Sequence, residues 1–173
     1  MRGILVGLLA MCSNVLFGQY NCQSTKHTHA AQQSTTPINY NSRSDTADLE
    51  ELKLDINTTG FSNEQLSGKA AYQIGVKINF SKLRFDLLGF TVDSVISTSG
   101  PLSFTQKDEH LIITHNATAG SILHWDIYYQ GNTTKDGSGW GGIHHDGAYD
   151  YNLGVGFAAN PHVYGRSLFP CFD

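Results

Sequence analysis

The chain has 173 residues, enough for one ordinary domain plus extensions. Eleven Lys and Arg stand against 15 Asp and Glu, a net charge of −4, so no basic field points to nucleic acid and none is expected as a partner. The acidic residues are scattered, which excludes an acidic tail, and 18 Gly with plentiful Tyr and Phe suit turns and half-buried strands better than helices.

Residues 1–18 read as a signal peptide. Arg2 supplies the positive start, and Ile4 to Met11 form an uncharged apolar core continued by Val15, Leu16 and Phe17. Gly18 is a small residue before a cut at Gln19, although Leu16 is larger than the small-residue rule asks at its place. The apolar run is too short and too interrupted to span a bilayer, so no transmembrane helix is expected. Cys12 offers an alternative, an acylated lipoprotein cysteine, but Met11 before it is bulky where a small residue belongs. Export to a periplasmic, extracellular or outer-surface location implies an oxidising compartment. After cleavage Cys22 and Cys171 remain. They can pair as a disulfide, or Cys171 is a buried free thiol, which is the plainer reading.

Residues 19–47 are rich in Gln, Ser, Thr, Asn and His and cannot bury enough surface to offset their ordering entropy, so they read as a disordered polar leader. His27 and His29 in it reflect polar composition rather than a metal site. The folded domain is expected over residues 48–173.

Leu52, Leu54 and Ile56 alternate with Glu51, Lys53 and Asp55, a strand with one face buried. Turn residues follow from Asn57 to Ser62. Leu66, Ala70, Tyr72, Ile74, Val76, Ile78 and Phe80 then share one face of a long antiparallel strand, with Gly68 and Gly75 expected at bulges or bends. Residues 83–88 and 90–96 are two shorter strands, and 102–105 with 111–114 form a hairpin across 106–109. Residues 122–129 are apolar and aromatic on both faces, so they are expected to lie centrally. A Gly-rich loop around Trp140 spans 131–142. Six or more short strands without a helical period predict an all-β domain, an antiparallel β-sandwich or curved sheet.

His144, His145 and Asp146 form the densest group of metal-type side chains. Adjacent histidines on a strand face opposite ways, and the flanking glycines predict a solvated loop or substrate-edge surface, so no metal site is assigned there. Trp140, Tyr149 and Tyr151 read as aromatics packing a domain edge, with a recognition platform as the sharper alternative. Asn57-Thr58-Thr59, Asn116-Ala117-Thr118 and Asn132-Thr133-Thr134 match the glycosylation sequon. No nucleophile–base constellation, phosphate loop or dinucleotide fingerprint is present.

Four segments, in order, resemble the N-terminal β-domain of the aminopeptidase N family of zinc metallopeptidases (gluzincins). They are L-x-L-D-I at 52–56, S-G-K at 67–69, L-H-W-D-I-Y-Y-Q-G at 123–131 and R-x-x-F-P-C-F-D at 166–173. The resemblance implies a saddle-shaped β-domain and, after Asp173, a catalytic domain as its partner. It places zinc and peptide substrates in the full-length parent, where an H-E-x-x-H helix binds the metal and a G-x-M-E-N motif holds the substrate amine. Neither motif occurs here; Glu109-His110 and His144-His145-Asp146 have the wrong spacing, and both Met lie in residues 1–18. The chain is therefore expected to contribute no catalytic residue, no metal ligand and no cofactor, and to be inactive alone. The resemblance puts Arg166, Phe169, Pro170, Cys171 and Asp173 at the domain interface. Arg166 there reads as one partner of a buried structural salt bridge, with the anchoring of a carboxylate as the sharper alternative. The family's Gln or Glu a few residues before that Arg is missing, and Asn160 is the amide nearest its place. That departure bears on aminopeptidase specificity and not on the fold. The alternative function is a free-standing secreted β-sandwich for binding or adhesion.

Overall fold

The computed structural model describes residues 43–59, 64–158 and 162–173. The signal-peptide residues, Cys12, Cys22, most of the leader and Asn160 lie outside them.

Among the described residues regular structure is already present at Arg43, ahead of the expected start at Asp48. A single helical turn, α1 (Arg43–Thr46), leads into β1 (Ala47–Asn57), whose first residue is fully buried. Composition alone assigned residues 43–47 to the leader; long-range contacts tie them down instead. The Arg43 guanidinium lies 2.6 Å from the Asp86 carboxylate and 5.1 Å from the centre of the Phe172 ring.

Two antiparallel sheets carry the fold. In the first, β1 pairs with β2 (Gln65–Val76), β2 with β8 (Ile122–Asn132), β8 with β4 (Phe90–Ser97), and β4 with the short β5 (Gly100–Pro101). In the second, β7 (His110–Ala117) lies between β3 (Phe80–Asp86) and β6 (Ser103–Lys107). The core sits between them, because alternation puts one face of each strand inward. Tyr72 and Ile74 of β2 and Trp125 and Ile127 of β8 meet Phe85 of β3 and Ile113 of β7, all within 3% of full burial. The Phe85 ring lies 5.3 Å from Tyr72 and 6.4 Å from Trp125. Each large apolar side chain so buried contributes about 1.5–3 kcal/mol. Strands β9 (Ile143–His145) and β10 (Asp150–Asn152) form a separate small hairpin. Among the described residues no helix is long and apolar enough to cross a membrane, which says nothing of crossing by strands.

Two local expectations are corrected. The long apolar run does not continue as one strand to Phe80. Strand β2 stops at Val76, the Lys77 and Ile78 N–H groups both donate to the Thr46 carbonyl, Ile78 is 54% exposed, and Phe80 opens β3 in the other sheet. The crossing preserved the apolar alternation, so periodicity could not reveal it. Gly68 and Gly75 do not mark bulges, since β2 keeps register throughout and the irregularities fall in β1 between Leu49 and Glu51, in β3 between Phe80 and Lys82 and in β4 between Val92 and Ser94. Gly68 instead admits the Tyr129 ring, which a Cβ there would approach to 2.6 Å. Strand β8 is central in its sheet, as expected, and it buries one face: Trp125, Ile127 and Tyr129 point inward while His124 and Tyr128 are exposed.

Candidate functional site

The terminal R-x-x-F-P-C-F-D segment folds back along β3. A 3-10 turn (Gly165–Ser167) aims it there, and backbone bonds fix it: Asp86 N–H donates to the Cys171 carbonyl at 2.8 Å, Cys171 N–H to the Asp86 carbonyl at 3.0 Å, and Leu88 N–H to the Arg166 carbonyl at 2.7 Å. Two core tyrosines reach across to it. The Tyr129 hydroxyl donates to the Leu168 carbonyl at 2.9 Å and the Tyr72 hydroxyl donates to the Pro170 carbonyl. Burial pushes both phenols well above their ordinary pKa, so they remain donors. Phe172 packs 5.1 Å from Phe85.

Charge closes the arrangement. The Asp86 carboxylate is buried, and around it stand Arg43 at 2.6 Å, His110 at 3.2 Å and Arg84 at 3.7 Å. A buried carboxylate persists only when paired in this way. Arg166 bridges Glu109 at 3.0 Å and Asp173 at 3.3 Å, and its backbone N–H donates to Asp173 at 3.1 Å. Thus Arg166, Phe169, Pro170, Cys171 and Asp173 lie together, and each is engaged with this domain's own residues or backbone.

Cys171 is a buried free thiol. Burial pushes its pKa far above the ordinary thiol value; the Asp173 charge, a hydrogen bond to Asp173 and the Asp86 charge add to the rise, and Arg43 opposes it. The thiolate is the nucleophile, so this sulfur should be inert near neutrality. In the folded full chain, Cys171 should escape alkylation at pH 8 and react once the chain is unfolded. Mass spectrometry of the C-terminal peptide reads this, and rapid alkylation in the folded state would contradict it.

A second arrangement centres on Asp136 in the Gly-rich loop. The Ser138 hydroxyl lies 2.7 Å from both carboxylate oxygens, Gly141 N–H donates at 2.8 Å and Ala158 N–H at 3.1 Å. Gly141 and Gly156 let the two loop segments close on the carboxylate, where a Cβ on either would crowd Asp136 to 3.0 Å or less. The hub supports an exposed apolar shelf. Trp140, Leu153, Val155 and Phe157 line an open trough of about 550 Å³, with the Trp140 and Phe157 rings edge to face at 6.1 Å.

Burial raises the Asp136 pKa, but the Ser138 hydroxyl and the Gly141, Ala158 and Phe157 N–H groups outweigh it and lower the value from 3.8 to about 2. The folded value lies below the unfolded one. The stabilisation is therefore present above the ordinary carboxylate range and fades as pH falls through about 2. The Gly141 and Ala158 amide resonances should titrate together with a midpoint of about 2, and a midpoint near 3.8 would contradict this assignment.

The histidine group lies in the β9–β10 hairpin rather than in a loop, a correction: residues 143–145 hydrogen-bond across to 150–152. His144 stacks on Tyr151 at 5.1 Å, while His145 Nδ1 lies 2.6 Å from Asp150. Among the described residues no three His, Cys, Asp or Glu side chains converge on one ion.

The positioning groups Asp86, Arg43, Tyr72 and Asp136 were not singled out from sequence. For Asp136 a signal existed: D-G-S-G is a run in which an Asp side chain bonds its own following backbone. For the others none did, since contacts distant in sequence give them their place, as between Arg43 and Asp86, Tyr72 and Pro170 (98 residues apart) or Arg43 and Asp173 (130).

No protein-family model matches the chain, and no curated protein matches it. Solved structures do. The M1 zinc metallopeptidase of Deinococcus radiodurans, as a mutant bound to a Tyr-Ser-Ala substrate, is similar with a TM-score of 0.62 and 20% identity over 74% of this chain and 29% of that one. A two-domain M1 zinc metallopeptidase mutant bound to L-tryptophan gives a TM-score of 0.63 at 20% identity, covering 74% of this chain and 30% of that one. The D. radiodurans enzyme without a stated ligand gives 0.60 at 19% identity, with 74% and 29% covered. The chain thus has the fold of a β-rich portion of these zinc metallopeptidases and spans under a third of their length.

Proposed function

We propose that this chain is the N-terminal, non-catalytic β-domain of an exported zinc-dependent metallopeptidase of the aminopeptidase N type. The observation that carries the reading is the fold likeness, which takes in 74% of this chain but only 29% of the metallopeptidase. The ordered motifs ending in R-x-x-F-P-C-F-D agree with it. Zinc and the residues that cut peptides then belong to the catalytic domain. The D. radiodurans relative was bound to a tripeptide substrate, and peptides are the substrates proposed for the parent. In this reading Arg166, Phe169, Pro170, Cys171 and Asp173 form the seam with the catalytic domain, and Asn160 lies nearest the substrate's amino end. The clamp on Asp86 gives the seam a fixed exit direction, because a site is precise only when rigid elements hold it.

One observation favours the free-standing binding module: Phe172 is packed against Phe85 of its own core. The two readings differ in activity. The pure chain should release nothing from an amino-acid anilide with zinc supplied, while the product of a reading frame extended past codon 173 should release amine and lose that activity to a chelator. Chelator-sensitive release by the pure chain would overturn the proposal, and so would an inactive extended product.

A further inference from the structure

The three sequons have different surroundings. Asn57 closes β1 and is exposed, as is Thr59. Its side-chain oxygen accepts the Thr59 N–H at 3.0 Å and the Thr59 hydroxyl at 2.8 Å, an Asx turn made by the sequon itself. The carboxamide is held by its oxygen, so its nitrogen is turned away from these bonds and meets no acceptor among the described residues.

The other two lack this arrangement. Asn116 lies within β7, where extended backbone separates side chains two residues apart by roughly 7 Å. Past it, the Thr118 carbonyl accepts the Ser121 N–H at 3.1 Å and Ala119 N–H donates to Asn79 at 2.8 Å, so the following backbone is already committed. Asn132 ends β8 with its N–H on the Gly89 carbonyl at 3.1 Å. The Thr134 hydroxyl of that sequon is buried, where no transferase can read it.

We propose that Asn57 is an N-glycosylation acceptor in the folded chain, and that Asn116 and Asn132 are not. The donor class is an oligosaccharide linked through its anomeric carbon to a lipid diphosphate. The Asn57 amide nitrogen forms a bond to that carbon, the carbon–oxygen bond to phosphate breaks, and the lipid diphosphate leaves with the electron pair. One amide proton passes to a base of the transferase, and nothing is oxidised or reduced. A glycan there would cap the outer end of β1, on the solvated side of a surface turn where such acceptors lie. Export would bring the chain to the compartment where such transfer occurs. The acceptor chemistry itself does not depend on the metallopeptidase reading.

The test uses the folded full chain, made in a host without N-glycosylation. It is incubated with an oligosaccharyltransferase and a lipid-diphosphate oligosaccharide, with an unstructured Asn-x-Thr peptide as the positive control. Glycopeptide mass spectrometry should find the added mass on Asn57 and not on the other two. Asn57→Gln should lose the added mass, and Thr59→Ala should lose it too while melting like the unaltered chain. Modification of the control peptide without Asn57 would overturn the proposal, as would equal occupancy of Asn116 or Asn132.

Discussion

Replacing Asp86 with alanine is expected to destabilise the folded domain by about 3–5 kcal/mol. The carboxylate is buried, and its removal takes away the opposite charge 2.6 Å from the Arg43 guanidinium, itself only 11% exposed. An uncompensated buried charge is far costlier than a broken surface pair, which would register at about 1 kcal/mol or less. The substitution also loosens both ends of the described chain, because Arg43 donates to the Asp173 carbonyl at 2.7 Å and packs on Phe172. Urea unfolding followed by tryptophan fluorescence should show a lower midpoint with an unchanged slope. Replacing Arg43 and Asp86 together with leucine should recover part of the loss, since neither charge is then left unpaired. A loss under about 1 kcal/mol for Asp86→Ala would show that water screens the pair.

Truncating Phe85 to alanine should cost a similar amount, about 3–5 kcal/mol, through lost apolar burial and the cavity left behind. The ring is fully buried and contacts Tyr72 at 5.3 Å, Trp125 at 6.4 Å and Phe172 at 5.1 Å. It thereby joins the two sheets to the terminal motif. Loosening should reach the clamp, so Cys171 in the Phe85→Ala chain should become open to alkylation under conditions that leave the unaltered chain protected. A stable Phe85→Ala domain with Cys171 still protected would mean that the terminal segment is held by its backbone bonds to β3 alone.

The parts of the fold legible in the sequence were those set by local alternation. Leu52, Leu54 and Ile56, the inner face of β2, and the β6–β7 hairpin all follow from a period of two, because the side chains of a half-buried strand sort by face wherever the strand lies. What alternation cannot carry is the sheet to which a strand belongs. The run from Leu66 to Phe80 kept its period while the chain left one sheet for the other at Lys77 and Ile78. Strand β8 looked apolar on both faces because Tyr128 and Ile122, which face solvent, count as apolar in any composition. The site divides in the same way. The terminal motif was visible as a string, but its function as a clamp depends on Asp86, Arg43, Tyr72 and Tyr129. Each of these is an ordinary residue until the fold brings it to the motif.

The central claim is that this β-domain serves a zinc metallopeptidase whose chemistry is built elsewhere in the same polypeptide. Reading the genomic frame beyond codon 173 tests it most directly. An open frame encoding a G-x-M-E-N motif and then an H-E-x-x-H helix, the elements that hold a substrate amine and bind zinc, is the expected result. A stop codon directly after Asp173, with neither motif following in that frame, would contradict it and leave the chain as a free-standing β-domain.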